Sequence, residues 1–305
     1  MEQSVLITGG TGTVGQRLTF WLQQAGYRVS YLTRDLHQPA PAGVRLWHWQ
    51  PRDYQMDAEA LKDVDHIIHL AGAGIADQRW TEDRKHVILK SRTQTAALLN
   101  HYLQKTPNRV KSFISASGIS RYGLDTGDRW LQEDDAPADD FVARVVVAWE
   151  NEAQQIAALG YRVAALRLGV VLSPKGGALE KLATPVKLWV GAPLGDGRQY
   201  VSWVHLDDVC QAFIFALQNE TITGAYHVAA PNPVTNAVLT QKIAKVLGKP
   251  LLAPNVPAFA LKFILGDMAD LVLGSNRVSS EKIRQAGFSF TYTQVEKALQ
   301  DLLNK

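Results

Sequence analysis

Residues 4 to 18, SVLITGGTGTVGQRL, constrain what this chain can fold into more than any other segment. Val5-Leu6-Ile7 suits a buried strand, and Thr8-Gly9-Gly10-Thr11-Gly12-Thr13-Val14-Gly15 follows with the spacing T-G-x-x-G-x-x-G before an amphipathic continuation. Strand, glycine bend and helix, with a second strand close behind, are what a dinucleotide-binding unit requires. Gly9 permits the tight turn, Gly12 lets a pyrophosphate approach the backbone, and Gly15 lets the helix pack on the strand. Thr11, Thr13 and Val14 complete the turn, and the first helical amides face the phosphates. A glycine turn that merely saves space would not need three spaced glycines.

The second strand, RVSYLT at 28 to 33, bears on which dinucleotide is bound. An NAD site usually ends this strand with Asp or Glu for the ribose hydroxyls. Here the end reads Leu32-Thr33-Arg34. A guanidinium clasps a 2'-phosphate with two prongs and Thr33 adds a hydroxyl, so NADP(H) is the expected cofactor. Asp35 follows at once and becomes the ribose ligand if the strand ends one or two residues later.

Further β-branched runs, at 5 to 8, 44 to 49, 65 to 72, 110 to 117 and 161 to 169, alternate with helical periodicity at 13 to 25, 81 to 104 and 141 to 159. The alternation predicts βαβ units: an α/β fold with a doubly wound parallel (Rossmann) sheet. A dinucleotide-binding domain over 1–172, its core also receiving segments from 200 to 230, and a smaller mixed α/β lobe over 173–305 are expected. After about 173 the pattern loosens into Pro- and Gly-marked loops, then helices near 207 to 218, 235 to 247, 257 to 272 and 294 to 303. The net charge of +3 is interspersed, which argues against nucleic acid. Lone Cys210 sits in a helical apolar pattern, no apolar run suits a signal peptide or membrane span, and the histidines show no ligand spacing. A cytoplasmic protein with no metal site and no membrane partner is expected.

With the glycine turn, Leu70-Ala71-Gly72 ending the fourth strand, and SASGISRYG at 115 to 123, the chain resembles the extended short-chain dehydrogenase/reductases. Within them it is similar to the atypical "epimerase family", putative sugar-nucleotide epimerases, through HLAGAGIADQRWTEDRKHVILKSR (69 to 92), LRLGVVLSPKGGAL (166 to 179), GDGRQYVSWVHLDDV (195 to 209) and the tail 256 to 290. The resemblance implies cofactor contacts from Gly9, Gly12, Gly15, Thr33, Arg34, Leu70, Ala71, Gly72, Arg92 and Val171. It also admits a homodimer through the helices near 81 to 104 and 141 to 159.

One departure matters. Short-chain dehydrogenases carry Tyr-x-x-x-Lys, in which the lysine lowers the pKa of a tyrosine that exchanges a proton as hydride moves. None of the nine tyrosines here has Lys four residues later. With Glu150 taken as the acid that lies four beyond the lysine, Val142 and Val146 occupy the Tyr and Lys positions, a loss the resembled subfamily shares. Ser117, Ser120 and Tyr122, in the loop where the superfamily holds a substrate hydroxyl, are the replacement candidates, Ser117 for contact and Tyr122 for the proton. Arg79 and Trp80 could present a cation and an aromatic face to a small-molecule substrate. Arg198 and Gln199 resemble the segment that grips a nucleotide-sugar diphosphate, though the arginine expected after the Gln is absent.

Two functions of different kinds fit. One is an NADP(H)-dependent oxidoreductase or epimerase acting on a small hydroxyl or carbonyl substrate. The other is a protein that binds NADP(H) without turnover and reports redox state. A standard NAD-linked sugar-nucleotide epimerase is disfavoured by the missing pair and the missing acidic ribose ligand.

Overall fold

The computed structural model describes residues 3–304. Its strands are β1 (Ser4–Thr8), β2 (Arg28–Thr33), β3 (Arg45–Gln50), β4 (Gln55–Met56), β5 (His66–His69), β6 (Ser112–Gly118), β7 (Trp130–Leu131), β8 (Arg162–Leu168), β9 (Val170–Leu172), β10 (Tyr200–Val201), β11 (Trp203–His205), β12 (Gly224–Val228), β13 (Val234–Thr235) and β14 (Arg277–Val278). Eight form the central sheet, in the order β12-β8-β6-β5-β1-β2-β3-β4. Every pairing in it is parallel except β3 with β4. The chain starts at β1, builds outward through β2 and β3, then returns to β5 on the other side. This reversal between β1 and β5 opens a crevice at the carboxyl ends of the strands, where doubly wound sheets collect ligands.

The helices are α1 (Thr13–Gln24), α2 (Glu82–Lys105), α3 (Phe141–Ala157), α4 (Gly177–Lys187), α5 (Leu206–Gln218), α6 (Asn236–Val246), α7 (Ala258–Leu265), α8 (Asp270–Leu273), α9 (Glu281–Gln285) and α10 (Val295–Leu303). Helices α1 and α5 pack together on one face of the sheet, and α2 and α3 on the other. Because both faces are covered, the strands read as apolar runs: every residue of β1 and of β5 is buried. Helices α4, α6 and α10 enclose a further core of Leu179, Val186, Leu239, Ile243, Leu299 and Leu302.

Late segments return to the early sheet. β12 pairs with β8, and α5 inserts Val209, Cys210, Phe213 and Leu217 into the β1 core. Two expectations need correction. The loop expected after 173 contains α4, whose Pro185 and opening glycines disguise it. The single helix expected over 257 to 272 breaks at Gly266 (φ +60°), and α7 exposes Phe259 and Phe263 where an amphipathic helix would carry polar residues. Among the described residues no helix is long and apolar enough to cross a membrane.

Candidate cofactor site

The glycine bend closes through Gly12 N–H to Gly9 O at 3.1 Å, and Gly9 takes φ +73°. A Cβ at Gly9 would stand 2.9 Å from the Leu70 carbonyl carbon, so the bend lies directly on the end of β5. A Cβ at Gly15 would come 2.4 Å from Gly9 O, which fixes α1 against the bend. Gly10, passed over by the sequence argument, is equally constrained: its Cβ would fall 2.5 Å from the Tyr31 ring. At Gly12 a Cβ would meet only Gly9 O, at 3.3 Å, and otherwise face open space. That open space before the first amides of α1 is what a pyrophosphate needs.

It belongs to a cleft of about 970 Å³ lined by Gly9, Thr11, Gly12, Thr33, Arg34, Leu70, Ala71 and Gly72. Thr13, Val14 and Gly15, within α1, and Val171, on β9, are not among the lining residues. Sequence reasoning missed the cleft's outer wall, Gln38, Trp49, Pro51 and Arg52 on one side and His86, Val87, Lys90 and Gln94 of α2 on the other. No local motif marks these residues; from α2, β3 and the loops beside β3 they reach the cleft only once the sheet is assembled.

β2 ends at Thr33, so Arg34 is the first residue beyond it. Thr33 Oγ1 and Asp35 are engaged in their own turn: Asp35 N–H reaches Thr33 Oγ1 at 3.1 Å, and Asp35 Oδ1 accepts from His37 N–H at 2.8 Å. Arg34, Arg52 and Lys90, in contrast, make no hydrogen bond or ion pair among the described residues. Three unpaired cations therefore line the cleft, together with Asp35.

Arg92 turns inward. Its guanidinium donates to the carbonyls of Ala73 (3.1 Å) and Ile88 (3.0 Å), stacks 5.1 Å from the Trp149 ring, and backs directly onto Gly72. Burial, reinforced by Arg84, lowers its pKa to about 10. Beneath it His69 bonds Thr8 Oγ1 at 2.8 Å, and burial, with Arg92 adding, lowers its pKa to about 3. The ring is neutral and braces β5 against β1.

Ser117 and Tyr122 join a buried polar network behind the strand ends. Ser117 Oγ–H donates to Glu150 Oε1 at 2.6 Å. Arg167 grips the same carboxylate in bidentate fashion, at 2.7 and 2.9 Å, and Arg121 lies 3.3 Å from it. Arg167 also donates to Tyr122 Oη at 2.6 Å, so the phenol spends its own proton on His227 Nε2, also at 2.6 Å. His227 Nδ1–H then meets Ser279 O at 2.8 Å, which assigns the neutral tautomer. Burial opposes charge on Arg167, yet Glu150 outweighs it and raises the pKa; burial also pushes the Tyr122 hydroxyl well above the usual phenol range. Tyr122 is thus enclosed, with its proton committed. Val142 and Val146 are buried on α3, and Val146 faces Gly118.

The remaining candidates are spread apart. Arg79 is exposed and reaches Phe263 O at 3.3 Å, while Trp80 bonds Ile75 O at 2.8 Å and packs edge-on to Phe141 at 5.3 Å. Arg198 is exposed beside Asp196. Gln199 is buried and straps Leu194 O (3.0 Å) to Val272 O (2.9 Å).

Sheet, bend and cleft define a nicotinamide-dinucleotide-binding protein of the short-chain dehydrogenase/reductase fold. The sequence pattern of the NAD dependent epimerase/dehydratase family matches residues 5–229, and a domain of unknown function (DUF1731) matches 256–302. The chain belongs to the NAD dependent epimerase/dehydratase family. It is 36% identical to the epimerase family protein YfhF of Bacillus subtilis, covering 98% of each chain. Among solved structures, human epimerase family protein SDR39U1 with NADPH superposes with TM-score 0.86 and 27% identity over 99% of each chain. A nucleoside-diphosphate sugar epimerase from Corynebacterium glutamicum gives 0.81 and 32% identity, over 99% of this chain and 58% of that one.

Proposed function

We propose that the cleft binds NADP(H) in preference to NAD(H), and that the bound cofactor serves hydride exchange with a small hydroxyl- or carbonyl-bearing substrate. The observation that carries the preference is that Arg34, Arg52 and Lys90, all unpaired among the described residues, line the cleft. A 2'-phosphate supplies the anion these cations lack. The NADPH of the SDR39U1 structure supports the same reading. Gly9 and Gly12 hold the pyrophosphate, while Arg92 stiffens the Gly72 wall from behind without reaching the ligand. The cofactor supplies the hydride; the protein orients it and shields it from water.

The proton side of the chemistry departs from the Tyr–Lys scheme. Val142 and Val146 have no proton to give, and Tyr122 is a positioning residue that holds Arg167. Ser117, at the carboxyl end of β6, donates its hydrogen bond to Glu150, so toward a substrate it offers lone pairs and suits a hydroxyl donor. The aliphatic pair equally favours the second reading, a redox reporter that binds NADP(H) without turnover.

Arg34→Ala tests the cofactor. Loss of a charged hydrogen-bond pair is worth about 1.5–3 kcal/mol, so NADPH affinity falls roughly tenfold to a hundredfold while NADH affinity stays put. Equal weakening of both would end the NADP assignment. NADPH oxidation across a carbonyl library, abolished in Ser117→Ala, separates turnover from reporting.

A further inference from the structure

At the amino ends of the strands, opposite the cofactor cleft, lies an open cavity of about 500 Å³. Tyr27, His66, Arg162 and Leu217 form its floor, with Gln3, Lys111, Gln218 and Glu220 at the rim. We propose that this cavity binds a small oxyanion, a phosphate or carboxylate group, through Tyr27, His66, Lys111 and Arg162.

The floor keeps donor capacity in the Tyr27 hydroxyl, in His66 Nε2 and in the N–H groups of Arg162 that its three carbonyl contacts leave over. Tyr27 is buried, yet its hydroxyl has no partner among the described residues. His66 is 4% exposed and its Nε2 is unpartnered. Its Nδ1 lies 2.8 Å from Ser112 Oγ, whose proton has no other acceptor. The serine therefore donates to Nδ1, which leaves Nε2–H as a free donor. Arg162 caps the carboxyl end of α5, donating to the carbonyls of Ala216 (2.9 Å), Leu217 (3.2 Å) and Ile222 (3.0 Å). No carboxylate lies within ion-pair distance of it among the described residues; burial lowers its pKa, and Glu220 at the rim opposes this from farther off.

Two acids lie near the cavity. Asp65 is 3.5 Å from Lys111, but it also holds Arg109 at 3.2 Å and Ser4 N–H at 3.0 Å. Glu220 is exposed at the rim. Burial lowers the His66 pKa to about 4; Asp65 opposes this, and Lys111 and Arg162 add to it.

Inorganic phosphate and malonate, titrated separately into the full chain at constant ionic strength, test the site. The expected result is a saturable rise in Tm of several degrees with at least one of them, with a shift of the His66 imidazole ¹⁵N signals. Preference for phosphate or for malonate distinguishes a phosphorylated ligand from a carboxylate-bearing one. Lys111→Ala, on the exposed rim, weakens the anion at least tenfold and leaves NADPH affinity unchanged. Arg34→Ala keeps the anion response, which separates this site from the cofactor cleft. A response that never saturates, persists in Lys111→Ala, or vanishes in Arg34→Ala overturns the proposal.

Discussion

Replacing Glu150 by Ala removes the acceptor that Arg167, Arg121 and Ser117 share. Arg167 is 4% exposed and is left with the Tyr122 hydroxyl and the Glu133 carbonyl, neither of them charged to match it. Stranding a buried ion in this way costs about 3–5 kcal/mol. Unfolding entropy of about 2.1 cal/mol/K per residue, taken over the 305 residues, converts that cost into a Tm drop of about 5–8 °C. Urea unfolding followed by tryptophan fluorescence measures the free energy directly. The paired variant Glu150→Leu/Arg167→Met removes both charges at similar volume and recovers at least half of the loss. A single-variant loss below about 1 kcal/mol, or a double variant no better than the single, refutes the view of Glu150 as counter-ion to a buried guanidinium.

Gly12→Ala and Gly15→Ala separate binding from folding. The Gly12 Cβ faces the cleft, so NADPH affinity falls at least tenfold with little change in Tm; the Gly15 Cβ strikes Gly9 O at 2.4 Å, so calorimetry shows both affinity and Tm lost. On acidification, His69 takes up no proton until about pH 3 in the folded state, whereas its unfolded form titrates near pH 6.5. Unfolding therefore binds a proton between these values. Stability falls as pH drops through that window, by about 1.4 kcal/mol per unit, and a urea-midpoint series shows the slope flattened in His69→Gln.

The sheet was legible because local pattern and tertiary role agree: VLIT, HIIH and FISAS are apolar where both faces are covered. The glycine bend was legible because its spacing encodes a backbone path. Helix α4 was not, since Pro185 and its opening glycines look like loop while the burial of Leu179, Ala183 and Val186 against α6 is long-range. Arg92 shows the limit on the site side. Its place on α2 is evident from sequence, but that it turns under Gly72 onto Trp149 depends on α3, more than fifty residues later. The Tyr122–His227 bond, 105 residues apart, has no local signature at all. Arg52 and Lys90 likewise reach the cleft only through the assembled sheet.

The return of β12 to the edge of β8 has a consequence for biogenesis. Until Val228 has left the ribosome, the β8 edge and the apolar face awaiting α5 stay open, although the glycine bend was made within the first 15 residues. A chain arrested before residue 206 thus holds a nearly finished nucleotide cradle on an unfinished sheet. Stalled nascent chains of that length are the species that should recruit chaperones.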